Sequence, residues 1–179
     1  MFIPVVLGTA REGAQSAKVA NFILKRAEEY GFETELVKAG DYIEAKTARI
    51  GVEGNSKVEP WKAIVEKADG FIIVTPEYNH SFPGELKLLL DSLYKEYYGK
   101  TVGLVGVSNG RLGGARVVEN IKTLINNFGM VATQNSVLVS KVREVFDESG
   151  NLLDESYNEK VIKLLDEIKW FAERLKGGK

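Results

Sequence analysis

The apolar positions of this chain change spacing repeatedly, from short continuous runs to a helical period and back. Phe2 to Leu7 is a β-branched apolar run that predicts a buried strand, and Gly8 to Gly13 follows as a small-residue loop. Val19, Phe22, Ile23, Ala27 and Tyr30 then recur at helical spacing, with Ser16 placed as an N-cap and Gly31 where a left-handed residue would end the helix. Thr34 to Val37 reads as the second strand. Residues 39–57, with Gly40, Gly51, Gly54 and scattered charges, read as a long loop. Loops beyond about 12–15 residues are uncommon and often functional, so this stretch is a candidate lid or subunit contact. Pro60 suits the first turn of a helix whose face is Trp61, Ile64, Val65 and Ala68.

Phe71 to Val74 predicts a third strand, buried on both faces, and Leu86, Leu89, Leu90 and Leu93 predict the helix after it. Between them lies a polar loop, Thr75 to Gly84. Thr101 to Val107 is a fourth strand, 108–114 its loop, and Val117, Val118, Ile121, Leu124, Ile125 and Phe128 mark a helix ending at Gly129. Ser136 to Val139 lies in the last strand, which starts near Val131, and Val161, Leu164, Leu165, Ile168, Phe171 and Leu175 predict a long C-terminal helix. Strands alternating with helices in this way imply an α/β fold, a parallel sheet with helices on both faces. For five strands the commonest order is 2-1-3-4-5, which opens a crevice at the carboxyl ends of the first and third strands. The loops 8–16, 75–84 and 108–114 should converge there.

Length and composition narrow the classes. The 179 residues fit one compact domain, 1–179, and 44% hydrophobic with 27% charged residues is ordinary for a globular protein. A formal net charge of −1, from 24 basic and 25 acidic residues, argues against a general nucleic-acid binder. With no cysteine, thiolate catalysis and cysteine-held metals are excluded, and one histidine, His80, makes a His-rich metal site untenable. The first residues have neither a basic n-region nor a run long enough for a signal or membrane span, so a cytoplasmic location is expected.

The first loop carries Thr9, Arg11, Gln15 and Ser16 into a helix N-terminus, where free N–H groups and the helix dipole favour an anion such as phosphate. The plainer alternative is that Thr9 and Ser16 cap and Arg11 is a solvated turn residue. Neither a Walker A sequence nor GxGxxG is present. The second loop sets Pro76, Glu77, Tyr78 and Asn79 beside His80, Phe82 and Pro83, a combination of a flat ring, hydrogen-bonding groups and restricted backbone that suits a planar heteroaromatic ligand. The alternative is a surface turn. His80 reads as a loop residue rather than a general base, because no triad partner is identifiable. In the third loop Ser108, Gly110, Gly113 and Gly114 would let backbone approach a ligand, although an ordinary strand-to-helix turn looks the same.

Taken together, Gly8-Thr9-Ala10-Arg11 with Ser16, the run Ala68 to Asn79 with Pro83-Gly84 and Leu86-Lys87, and Gly113-Gly114 with Arg116 resemble the NAD(P)H-dependent FMN reductase family, which includes quinone, azo and chromate reductases. The resemblance implies a flavodoxin-like three-layer sandwich with FMN as cofactor and NADPH or NADH as co-substrate. It implies a phosphate site in Thr9, Arg11, Gln15 and Ser16, and an isoalloxazine ring against Pro76, Glu77, Tyr78 and Asn79 near Ser108, Gly110 and Gly113. No catalytic side chain is implied, the chemistry being that of flavin N5. Hydride would pass from NAD(P)H through FMN to a small-molecule acceptor, namely a flavin, quinone, azo compound or metal oxyanion. A homodimer or homotetramer, with neither nucleic acid nor membrane as partner, is the further expectation. The alternatives are a flavodoxin-like electron carrier and a non-catalytic flavin-binding partner protein. Residues 39–57 depart from the family pattern.

Overall fold

A computed structural model describes residues 1–44 and 57–176. Strands β1 (Val5–Leu7), β2 (Leu36–Lys38), β3 (Gly70–Pro76), β4 (Thr101–Val107) and β5 (Val131–Val139) form one parallel sheet in the order β2-β1-β3-β4-β5. Helices α1 (Ser16–Tyr30), α2 (Val58–Lys67), α3 (Gly84–Asp91), α4 (Ala115–Asn127), α5 (Val142–Val145) and α6 (Ser156–Lys176) cover it. The strand order is the one expected from the sequence.

Successive strand residues point to opposite faces, so the sheet builds two cores. Val5, Leu7, Ile72, Val74, Val105 and Val107 pack against α1 and α6 through Val19, Ile23, Val161, Leu164 and Ile168. Val6, Phe71, Ile73, Val102 and Leu104 face the other way, onto Trp61, Leu86, Leu89, Ile121 and Ile125 of α2, α3 and α4. This explains why the strands read as continuous apolar runs: both faces are covered. The contact with α6 is close enough that a Cβ on Gly103 would lie 2.5 Å from Ile168 Cδ1.

Inside the second core, Trp61 Nε1 donates to the Tyr97 hydroxyl at 2.9 Å, and both side chains are buried. Burial raises the Tyr97 phenol pKa far above its ordinary value, the Trp61 bond opposing this only in part. Tyr97→Phe would leave the indole N–H buried without an acceptor. We expect it to lower unfolding free energy by about 1–3 kcal/mol, read from urea denaturation.

Several boundaries differ from expectation. β2 begins at Leu36 rather than Thr34, because the Thr34 hydroxyl turns to the carbonyl of Ile3 at 2.6 Å. β3 runs on through Pro76, and the Glu77 N–H continues its ladder to Val107 O at 2.9 Å. The long loop opens with a 3₁₀ turn, Ala39–Asp41, whereas the proposed lid or subunit contact falls mainly on 45–56, outside the described residues. Helix α5 and the turn closed by the Phe146–Leu152 bridge have no counterpart in the hydrophobic pattern, since four residues are too few to establish a period.

Candidate functional site

At the carboxyl end of the sheet, α1 leaves β1 toward one face and α3 follows β3 on the other. The loops part there and leave a cleft of about 310 Å³. Its wall is Arg11, Glu12, Gly13, Ala14, Gln15 and Ser16 after β1, Pro76, Glu77 and Tyr78 at the end of β3, Val107, Ser108 and Asn109 at the end of β4, and Val142 and Arg143 after β5.

The first loop is held by a Thr turn, in which the Arg11 N–H donates to Thr9 Oγ1 at 3.2 Å. The expected capping by Ser16 is not what the structure shows. Gln15 is the residue before the helix, it is already helical, and it makes no side-chain cap. Ser16 is instead the first helical residue, 2% exposed, with no hydrogen-bond partner for its Oγ. The N–H groups of Gln15 and Ser16 likewise find no acceptor among the described residues. An unsatisfied buried polar group costs about 1–3 kcal/mol, a cost that an anion accepting these donors would offset.

The second loop is stiff. Tyr78 and Ser81 exchange both backbone hydrogen bonds, at 2.9 and 3.0 Å, around Asn79 (φ 51°) and His80 (φ 66°). Positive φ at both central residues is the type I′ turn, which Asn accepts readily. Asn120 Nδ2 clasps the turn from α4 by donating to His80 O at 2.6 Å. Tyr78 is fixed at its far end, its hydroxyl lying 3.2 Å from Thr9 Oγ1, and the Arg11 guanidinium sits 5.8 Å from its ring centroid. Glu77 Oε1 accepts from Arg116 at 3.2 Å, while Oε2 is buried and has no partner.

The glycines of the third loop serve protein packing. A Cβ on Gly113 would meet the β5 backbone at Leu138 C, 2.9 Å away, and one on Gly114 would lie 2.6 Å from Val107 N. Only Gly110 faces open space, with nothing nearer than Ser108 Oγ at 3.7 Å.

Of the residues singled out from sequence, Arg11, Gln15, Ser16, Pro76, Glu77, Tyr78 and Ser108 line the cleft. Thr9 stands behind it through Tyr78. Asn79, Gly110 and Gly113 are not part of its wall. Sequence reasoning passed over Glu12, Asn109, Val142 and Arg143. The available signal for the last two was their place just beyond a strand's carboxyl end, but the hydrophobic pattern gave no reason for the chain to turn back there.

The model of the NADPH-dependent FMN reductase family matches residues 1–144. An NAD(P)H-dependent FMN reductase of Pseudomonas aeruginosa is 30% identical over 125 residues, 67% of this chain and 68% of the relative. A quinone reductase of Pseudomonas putida is 28% identical over 163 residues, 86% of each chain. Among solved structures, FerB, a flavoenzyme NAD(P)H:(acceptor) oxidoreductase from Paracoccus denitrificans, has a similar fold, with a TM-score of 0.81 at 23% identity over 95% of this chain and 98% of its own. With the family matched across the sheet and every wall of the cleft, this chain belongs to the NADPH-dependent FMN reductases.

Proposed function

We propose that this cleft holds FMN and that the protein reduces a small acceptor at the expense of NADPH or NADH. The observation that carries the reading is the buried, unpartnered Ser16 hydroxyl at the start of α1, beside Arg11 and the free N–H groups of Gln15 and Ser16. These are donors without acceptors, and a flavin phosphate is the acceptor that fits them. The free acceptor Glu77 Oε2 complements a donor such as a flavin N3–H.

FMN held there would supply the redox chemistry, hydride acceptance and two-electron delivery to an acceptor. The residues of the chain bind and orient. Arg11, Gln15 and Ser16 take the phosphate, and Pro76, Glu77 and Tyr78, locked by β3 and the type I′ turn, form the ring wall. Ser108 closes the opposite edge. Among the described residues the wall has no histidine, lysine or cysteine, and this reading assigns no proton transfer to one. The acceptor, a quinone, flavin, azo compound or metal oxyanion, would enter the face vacated by the nicotinamide. One domain over 1–179, a cytoplasmic location and a homodimer or homotetramer complete the proposal. Among the described residues no helix is long and apolar enough to cross a membrane.

The test is a flavin spectrum of the pure protein, its anaerobic bleaching by NADH or NADPH, and its recovery on adding a quinone. Protein that takes up no added FMN would overturn the proposal. His80 gives a second expectation. It is exposed on its turn and absent from the wall, so His80→Ala should keep the hydride-transfer rate within about tenfold, whereas loss of a general acid or base typically costs at least about 10²-fold. Stopped-flow bleaching of the flavin measures this directly.

A further inference from the structure

Arg143 is an arginine of the cleft wall that stands outside all three flavin-binding loops. Its segment is fastened to the site. Lys141 N–H donates to Gly110 O and Val142 N–H to Ser108 O, each at 3.2 Å, which ties the start of α5 to the loop after β4. Val142 and Val145 anchor α5 in the core, turning Arg143 outward between them.

The far end of the segment is fastened to α1. Lys18 Nζ donates to Asp147 O at 2.8 Å, and Phe146 packs edge-on against Phe22 with ring centroids 5.7 Å apart. Asp147 and Phe146 thus lie beside the first two turns of α1, and Arg143 lines the cleft together with Gln15 and Ser16 at the N-terminus of α1. That is where Ser16 and Arg11 wait for an anion. Lys141, the neighbouring cation, is engaged with Glu144 at 3.0 Å. Arg143 has no ion pair or hydrogen bond among the described residues, and Arg11 has no carboxylate partner there either. Glu12, on the same rim, is the opposing charge, and it is exposed.

We infer that Arg143 is a specificity-determining residue that reads the flavin 5′-phosphate, a second guanidinium opposite Arg11. A phosphomonoester dianion at a helix start takes planar, bidentate donors well, and two guanidiniums match its two charges. The consequence is discrimination of FMN from riboflavin, which carries the same ring and no phosphate. The inference rests on the flavin reading above.

Apoprotein is titrated with FMN and with riboflavin, following quenching of flavin fluorescence, in wild type, Arg143→Ala and Arg143→Lys. Arg143→Ala should weaken FMN binding by about 10- to 100-fold and leave riboflavin within about threefold, as expected for loss of a charge-assisted hydrogen bond. Arg143→Lys should recover part of the loss, and the salt dependence of FMN binding should flatten in the alanine variant. Unchanged FMN affinity overturns the assignment, as does an equal loss for FMN and riboflavin, which would make Arg143 a shaping residue. A rise in the KM for NADPH alone, with NADH and FMN unaffected, would instead place Arg143 on the nucleotide's 2′-phosphate and also overturn it. Wild-type protein that binds neither flavin defeats the underlying flavin reading, a result distinct from all of these. Apoprotein melting temperatures should coincide across the three proteins, because Arg143 is exposed and unpaired.

Discussion

Gly114→Ala is expected to destabilise the protein by roughly 2–5 kcal/mol, a large part of the 5–15 kcal/mol typical of a domain. Two costs add. Gly114 has φ 82°, where a side chain costs about 1–2 kcal/mol. Its Cβ would also lie 2.6 Å from Val107 N and 2.8 Å from Gly106 C, backbone atoms inside a fully buried strand. A Cβ on Gly106 in turn would meet Gly114 O at 2.7 Å. The turn entering α4 and the carboxyl end of β4 are therefore pressed together with no room for a methyl group, and overpacking of this kind costs about 1–3 kcal/mol. Urea denaturation measures the loss, and a change under about 1 kcal/mol would contradict the packing described. Because Val107 and Ser108 are walls of the cleft, weaker flavin binding should accompany the lower stability.

Ser16→Asp should abolish useful FMN binding with a smaller effect on the fold. The wild-type hydroxyl is a buried donor with no partner, facing the place proposed for the phosphate. Aspartate substitutes a negative charge there. At about 4 Å and an effective dielectric of about 20, two unit charges repel by about 4 kcal/mol, so the loss should be at least about 10²-fold in affinity. Riboflavin, lacking the phosphate, should bind the variant nearly as well as wild type. Ser16→Ala is the milder companion: it removes only the donor, at about 1.5–3 kcal/mol, and leaves the fold relieved of an unsatisfied hydroxyl. Equal losses of FMN and riboflavin in both variants would show that Ser16 supports the loop rather than meeting a phosphate.

The loops after β1 and β3 were legible in the sequence because their chemistry is carried by residues that have few other reasons to cluster. Thr9, Arg11 and Ser16 precede a helical pattern, and Pro76 to Asn79 follow an apolar strand. What Ser16 does there was not legible. A serine before a helix is most often its cap, and only the helical conformation of Gln15 moves Ser16 inside the first turn and leaves its hydroxyl bare. The Gly113-Gly114 pair was similarly ambiguous. Glycine permits close approach without naming the partner, and the partner is β4 and β5.

The sequence by itself determined the alternation of strands and helices and the double-sided burial of the central strands, and it made 2-1-3-4-5 the expected strand order. Those follow from local period and from the few ways a parallel sheet can be covered. The residues that flank a strand's carboxyl end were likewise readable, since sequence position and spatial position coincide there. Only the tertiary structure brought Arg143 to the α1 N-terminus, paired Arg116 with Glu77, and buried Trp61 against Tyr97. Each of these joins residues 36 to 127 positions apart, and no local pattern records such a contact, because it depends on how helices and turns settle against a sheet already formed.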